Sequence, residues 1–95
     1  MSDIPRIQSA EPVINGVLKI VWDDGYEAVV DVRPIIGSGK IFAFLSDPVA
    51  FSSVRVGEYG SSVYWLDDQS NVIDFGTVSM RQRAEAQADI LRVAI

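Results

Sequence analysis

The stretch from Val17 to Val32 constrains the fold more than any other part of this chain. Val17-Leu18-Lys19-Ile20-Val21-Trp22 and Tyr26-Glu27-Ala28-Val29-Val30-Asp31-Val32 both have strand composition, and they flank Asp23-Asp24-Gly25. Asp tolerates and Gly favours positive φ at such a turn, so the two runs should pair as an antiparallel hairpin. On the outgoing strand Ala28, Val30 and Val32 share one face, with Glu27, Val29 and Asp31 on the other. The second face is therefore only partly solvated.

The flanking sequence extends this hairpin into an α+β pattern. Met1 to Arg6 reads as a frayed end, and Ile7-Gln8-Ser9-Ala10 alternates like a short edge strand that Pro12 interrupts. Pro34 stops the hairpin, and Ile35 to Gly39 turns the chain. Lys40 to Leu45 is an apolar run that period alone does not assign, read here as a helical turn. Asp47 before Pro48 supplies an N-cap side chain and a first-turn proline, so Asp47 to Ser52 should form a second short helix. Val54-Arg55-Val56, Ser62 to Leu66 and Val72 to Phe75 read as three further strands, joined by turns at Glu58 to Ser61 and Asp67 to Asn71. From Ser79 onward Ala, Arg, Glu and Gln dominate, and Ser79 with Gln82 has capping-box spacing. One helix should close the chain. Its residues Met80, Ala84, Ala88, Leu91, Ala94 and Ile95 fall on one stripe, with Arg81, Glu85, Asp89 and Arg92 together on another side. The expected architecture is an α+β domain, residues 1–78, with a mostly antiparallel sheet from two strand groups and short central helices. Residues 79–95 form an amphipathic helical extension.

Composition narrows the chemistry. The 95 residues allow one modest core, and 48% hydrophobic content argues for a packed globule rather than a disordered regulator. Cysteine and histidine are both absent, which removes disulfides, thiolate chemistry, the usual zinc sites and any His general base. Residues 1–78 carry five Lys or Arg against eleven Asp or Glu, and an acidic body of this kind repels phosphate backbones. No apolar run approaches the roughly 18 to 20 residues that span a bilayer. With no basic start followed by an apolar core, the expectation is a cytoplasmic protein without membrane association.

Individual motifs read mostly as structure. Gly37-Ser38-Gly39-Lys40 suggests a phosphate loop, but Pro34 stands where the first glycine belongs and Ile41 where a metal-binding hydroxyl belongs. It is read as a connecting loop. Asp23-Asp24 and Asp67-Asp68 could share a hard cation only if both turns lay at the same end of a sheet; turn chemistry is the simpler account. No cofactor or metal is implied. Trp22 and Trp65 read as core anchors of the two strand groups. Adjacent Tyr64 and Trp65 must point to opposite faces, which leaves Tyr64 as the candidate contact residue. Arg33 and Arg55 are read as partners of local Asp residues.

Trp22-Asp23-Asp24-Gly25, Val30-Asp31-Val32-Arg33-Pro34, Phe44-Leu45 with Phe51, Val54-Arg55-Val56, and Val63-Tyr64-Trp65 with Ile73-Asp74 follow one another in a specific order. In that order and spacing, over roughly residues 5–76, the chain resembles the small bacterial family called domain of unknown function 2442. The resemblance implies a compact α+β domain without a known activity. Some members carry a helix-turn-helix module after this domain, and many are encoded beside another small protein in pairs that resemble toxin–antitoxin loci. Residues 79–95 offer one helix where a helix-turn-helix needs two, so the resemblance supports a binding role and not DNA binding by this chain.

The expected function is a non-enzymatic protein-binding or regulatory module that pairs with itself, as a homodimer, and with a co-encoded small protein. Its contact residues would be Met80, Ala84, Leu91 and Ile95 on the helix, with Tyr64 on the sheet. Docking of the helix on the chain's own sheet is the alternative to pairing through it. The alternative function is a transcription-related or antitoxin-like domain that acts with a separate partner chain.

Overall fold

The computed structural model describes residues 4–94, with backbone alone for Ile41 and residues 89–94. Two three-stranded antiparallel sheets and a long helix form an α+β fold. The first sheet has the order β1 (Ile7–Ile14), β2 (Val17–Trp22), β3 (Glu27–Asp31). Asn15-Gly16 turns β1 into β2, with Gly16 at φ +85, and Gly25 takes φ +91 in the β2–β3 turn. β1 is longer than its alternation suggested because it is an edge strand. Pro12 sits opposite Leu18 and costs no ladder bond that an edge requires. Irregularities of register occur between Ile7 and Ser9 and between Pro12 and Ile14.

Three short helices follow. α1 (Arg33–Ile36) begins where only a turn was expected, since Pro34 suits a first helical turn as well as it ends a strand. Lys40–Ser46 is a 3-10 helix, and Asp47 caps α2 (Pro48–Phe51) by accepting a hydrogen bond from the Val49 N–H at 3.4 Å. The second sheet has the order β4 (Arg55–Val56), β5 (Ser62–Leu66), β6 (Val72–Gly76). Between β4 and β5, Tyr59 (φ 57) and Gly60 (φ 67) are both left-handed. A Cβ on Gly60 would lie 2.5 Å from the Ile7 carbonyl oxygen, so β1 packs directly on this turn.

α3 (Thr77–Ala94) continues from β6 without a loop. It starts two residues before Ser79, so the Ser79–Gln82 pair lies within the helix and is not the cap. The helix is also no separate extension: Met80 and Ala84 belong to the same buried cluster as Leu18, Ile20, Trp22, Val30, Phe51, Val63 and Trp65. One side of the molecule is closed by contacts of β1 with β4 and β5, and the other by α3 against β3 and β6.

Both tryptophans are fully buried with their indole N–H groups paired. Trp65 donates to the Phe51 carbonyl at 2.8 Å, stacks on the Phe51 ring and meets Phe75 edge-on. Trp22 donates to the Thr77 hydroxyl at 3.0 Å, and that hydroxyl donates to the Pro5 carbonyl at 2.7 Å. One threonine thus joins the N-terminal segment, the first sheet and α3. Among the described residues no helix is long and apolar enough to cross a membrane.

Candidate partner-binding groove

The ends of the β5–β6 ladder reveal which backbone groups of β6 are free. Thr77 N–H donates to the Ser61 carbonyl at 2.8 Å, and Asp67 N–H to the Asn71 carbonyl at 3.0 Å. Antiparallel pairs alternate between bonded and non-bonded. With Val63 opposite Phe75 and Trp65 opposite Ile73, the intervening Val72, Asp74 and Gly76 turn their N–H and C=O groups away from β5. β6 is the last strand of its sheet, so these groups face outward, except the Gly76 C=O, which accepts the first hydrogen bond of the helix that follows.

They face a groove. It encloses about 810 Å³ between β6 and α3, with Asp74 and Gly76 on one wall and Ser79, Gln82, Arg83 and Ala86 on the other. Ile35, Phe42, Phe75 and Met80 line it with apolar surface, and the Phe42 and Phe75 rings lie 5.7 Å apart. A smaller hollow of about 450 Å³ shares Phe42 and Asp74 with it and continues along β6 to Asp67 and Asn71. The two hollows follow the whole edge of the strand.

The edge of the first sheet is treated differently. Val32 N–H donates to the Gly16 carbonyl and Trp22 N–H to the Tyr26 carbonyl, both at 2.9 Å. By the same alternation Glu27, Val29 and Asp31 face outward from β3. The Gln87 carboxamide takes both groups of Asp31, accepting from its N–H and donating to its C=O, each at 3.0 Å. The side chain stands in for a neighbouring strand. Nearer the helix start, the Arg81 guanidinium lies 4.0 Å from the Tyr26 ring centroid, 5.2 Å from that of Trp22, and bridges Asp24 and Glu85 at 3.0 and 3.1 Å.

The charged turns do structural work. Arg81 holds the Asp24 carboxyl below its ordinary pKa, assisted by the Tyr26 N–H. Arg33 does the same for Asp31 through a two-point contact at 2.9 Å. The Asn71 and Gln69 N–H groups lower Asp67, whose carboxylate closes the β5–β6 turn. Asp24 lies beside the start of α3, at the C-terminal end of β6, whereas Asp67 lies at its N-terminal end. The two acidic pairs are therefore at opposite ends of that strand and do not converge. Gly37-Ser38-Gly39 links α1 to the 3-10 helix, with the Ser38 hydroxyl bonded to the Ile35 carbonyl.

Of the expected contact residues, Met80 and Ala84 are corrected. They are 1% and 2% exposed, buried in this chain's own core, and offer no surface to a partner. The stripe expected to pair two copies is in this half the seam by which α3 docks on its own sheets. Ala88 is exposed, and Leu91 and Ile95 lie outside the described side chains. Tyr64 is half-buried on the outer face of the second sheet, in register between Arg55 and Asp74. The groove residues Phe42, Asp74, Gln82 and Arg83 escaped sequence reasoning. So did Gln87 and Thr77, whose partners lie 55 to 72 positions away.

No family model and no curated protein matches the chain. Among solved structures it is similar to the "Putative DNA Binding Protein NE0471" from Nitrosomonas europaea, with 28% identity and a TM-score of 0.77 over 94% of this chain. The match spans 56% of the length of that protein.

Proposed function

We propose that this domain is a protein-binding module of a regulatory, transcription-related system, and that it receives its partner in the groove between β6 and α3. The observation that carries this reading is the open strand edge above an apolar floor. Exposed apolar recesses with a polar rim mark sites of interaction. The likeness to a protein described as DNA-binding supports the transcriptional setting. The net charge of −5 argues that nucleic-acid contact is supplied by other protein segments or chains. We assign the chain no reaction, because it has neither a histidine nor a cysteine to activate a nucleophile or serve as one.

The test is site-specific photo-crosslinking in cells of the source organism. A photoreactive residue at Gln82, in the groove, should capture a discrete partner, and one at Lys19, on the outer face of the first sheet, should not. Equal capture from both positions would refute the groove. Tight, sequence-dependent binding of duplex DNA by this chain alone at physiological salt, seen by fluorescence anisotropy, would transfer the function to direct DNA recognition.

A further inference from the structure

Three features of the groove specify the kind of occupant. First, the N–H and C=O groups of Val72 and Asp74 and the N–H of Gly76, whose C=O is taken by the first turn of α3, form a row of backbone donors and acceptors at strand spacing, which an extended polypeptide matches and a helix does not. Second, α3 caps the edge of β3 at Asp31 with the Gln87 carboxamide, next to the outward groups of Val29 and Glu27. Among the described residues no hydrogen bond does the same for β6. Third, Asp74 is exposed, and among the described residues no cation forms a salt bridge with it.

We propose that β6 accepts an extended segment of a partner polypeptide as a fourth strand of its sheet, with a Lys or Arg of that segment beside Asp74. The proposal rests on the protein-binding reading and specifies its recognition mode. Side chains of an added strand alternate between faces. Those on the inner face would meet Phe42, Phe75 and Ile35, and should be apolar. The one opposite Asp74 on the outer face should be basic, since unlike charges stabilise a cross-strand pair and like charges oppose it. Arg55 shares that outer row but stands two strands from Asp74, with Tyr64 between them. Pairing β6 with its own copy in a register centred on Asp74 would set two Asp74 carboxylates side by side, which favours a different polypeptide as the occupant.

The probe is a fluorescein-labelled peptide Thr-Val-Lys-Val-Lys-Val-Thr, titrated with the full chain and read by anisotropy. Saturable binding is expected. It should weaken by about tenfold or more when Glu replaces Lys, when Asp74→Lys is introduced, or when the amides of one peptide edge are N-methylated. Methylating the opposite edge should change little, because only one edge faces β6. Val72→Pro, which removes an outward N–H and leaves the β5 ladder intact, should also weaken binding. Near-ultraviolet circular dichroism of the two buried tryptophans verifies that each variant is folded. Absence of binding, or equal losses from methylating either edge, would overturn strand addition. A dimer of the free chain that dissociates on Val72→Pro would assign the edge to a second copy and likewise overturn it. If crosslinking at Gln82 still captures its partner in the Val72→Pro and Asp74→Lys backgrounds, the protein-binding reading stands and the strand-addition mechanism falls. If Gln82 captures nothing, the reading itself fails.

Discussion

Thr77→Val isolates a single hydroxyl that connects three parts of the fold. The change keeps side-chain shape but removes the acceptor for the Trp22 indole N–H and the donor to the Pro5 carbonyl. Trp22 is 0% exposed, so its N–H finds no water in exchange. An unsatisfied buried donor costs about 1–3 kcal/mol, and the half-buried Pro5 carbonyl, which water can reach, adds about 0.5–1 kcal/mol. The expected loss is about 2–3 kcal/mol, which for a domain of this size lowers Tm by roughly 8–20 °C. Urea unfolding followed by tryptophan fluorescence measures it, with Thr77→Ser as the comparison because it keeps the hydroxyl. Thr77→Val should be clearly worse than Thr77→Ser, and its indole resonance should lose exchange protection in NMR spectra. A loss below about 0.5 kcal/mol, or equal losses for both variants, would refute the argument, since the methyl group rather than the hydroxyl would then carry the position.

Gln87→Ala should expose the Asp31 backbone groups, cost about 1 kcal/mol, and speed hydrogen exchange at the Asp31 amide while leaving the β5–β6 amides unchanged. Gly60→Ala should cost about 2–4 kcal/mol, combining a left-handed φ with a Cβ pressed against the Ile7 backbone; urea unfolding with little loss would show that β1 can shift. Asp24, Asp31 and Asp67 have lowered pKa values in the folded chain. Their stabilising contribution is therefore fully present above the ordinary carboxylate range, about pH 4, and is lost as pH falls through the lowered folded values. Acid titration followed by circular dichroism should show Asp24→Asn less stable than the parent at neutral pH, with the difference shrinking in acid.

Local elements were legible where short-range chemistry decides them. Asp23-Asp24-Gly25 marks its hairpin, Asp47-Pro48 its helix start, and the alternation of Ala28, Val30 and Val32 the inward face of β3 and of the residue that follows it. The start of α3 was misplaced because Ser79 and Gln82 have capping-box spacing, whereas the chain enters the helix directly from β6 at Thr77. An apolar helix stripe with no assigned neighbour suggests pairing between copies. Met80 and Ala84 find that neighbour inside the same chain, which periodicity cannot reveal because it identifies the apolar face and not what covers it. The groove was invisible for a related reason. Its walls combine Phe42, Asp74 and Gln82, three unremarkable residues that only the chain path brings together.

The same helical period explains why the groove is held open. At about 100° per residue, Thr77, Met80, Arg81, Ala84 and Gln87 share the side of α3 that meets the core and the first sheet. Ser79, Gln82, Arg83 and Ala86 fall on the other side and form the groove wall. Successive turns are fixed by Thr77 to Trp22, Arg81 to Asp24 and Tyr26, and Gln87 to Asp31. For α3 to roll toward β6 and cover its edge, all three attachments would have to break, and Met80 and Ala84 would have to leave the core. Such a roll would forfeit buried apolar area as well as paired polar groups, a combined cost of several kcal/mol. The wall therefore stays in place without an occupant, and a ligand entering the groove meets a site already shaped, so less of its binding energy goes into ordering the protein.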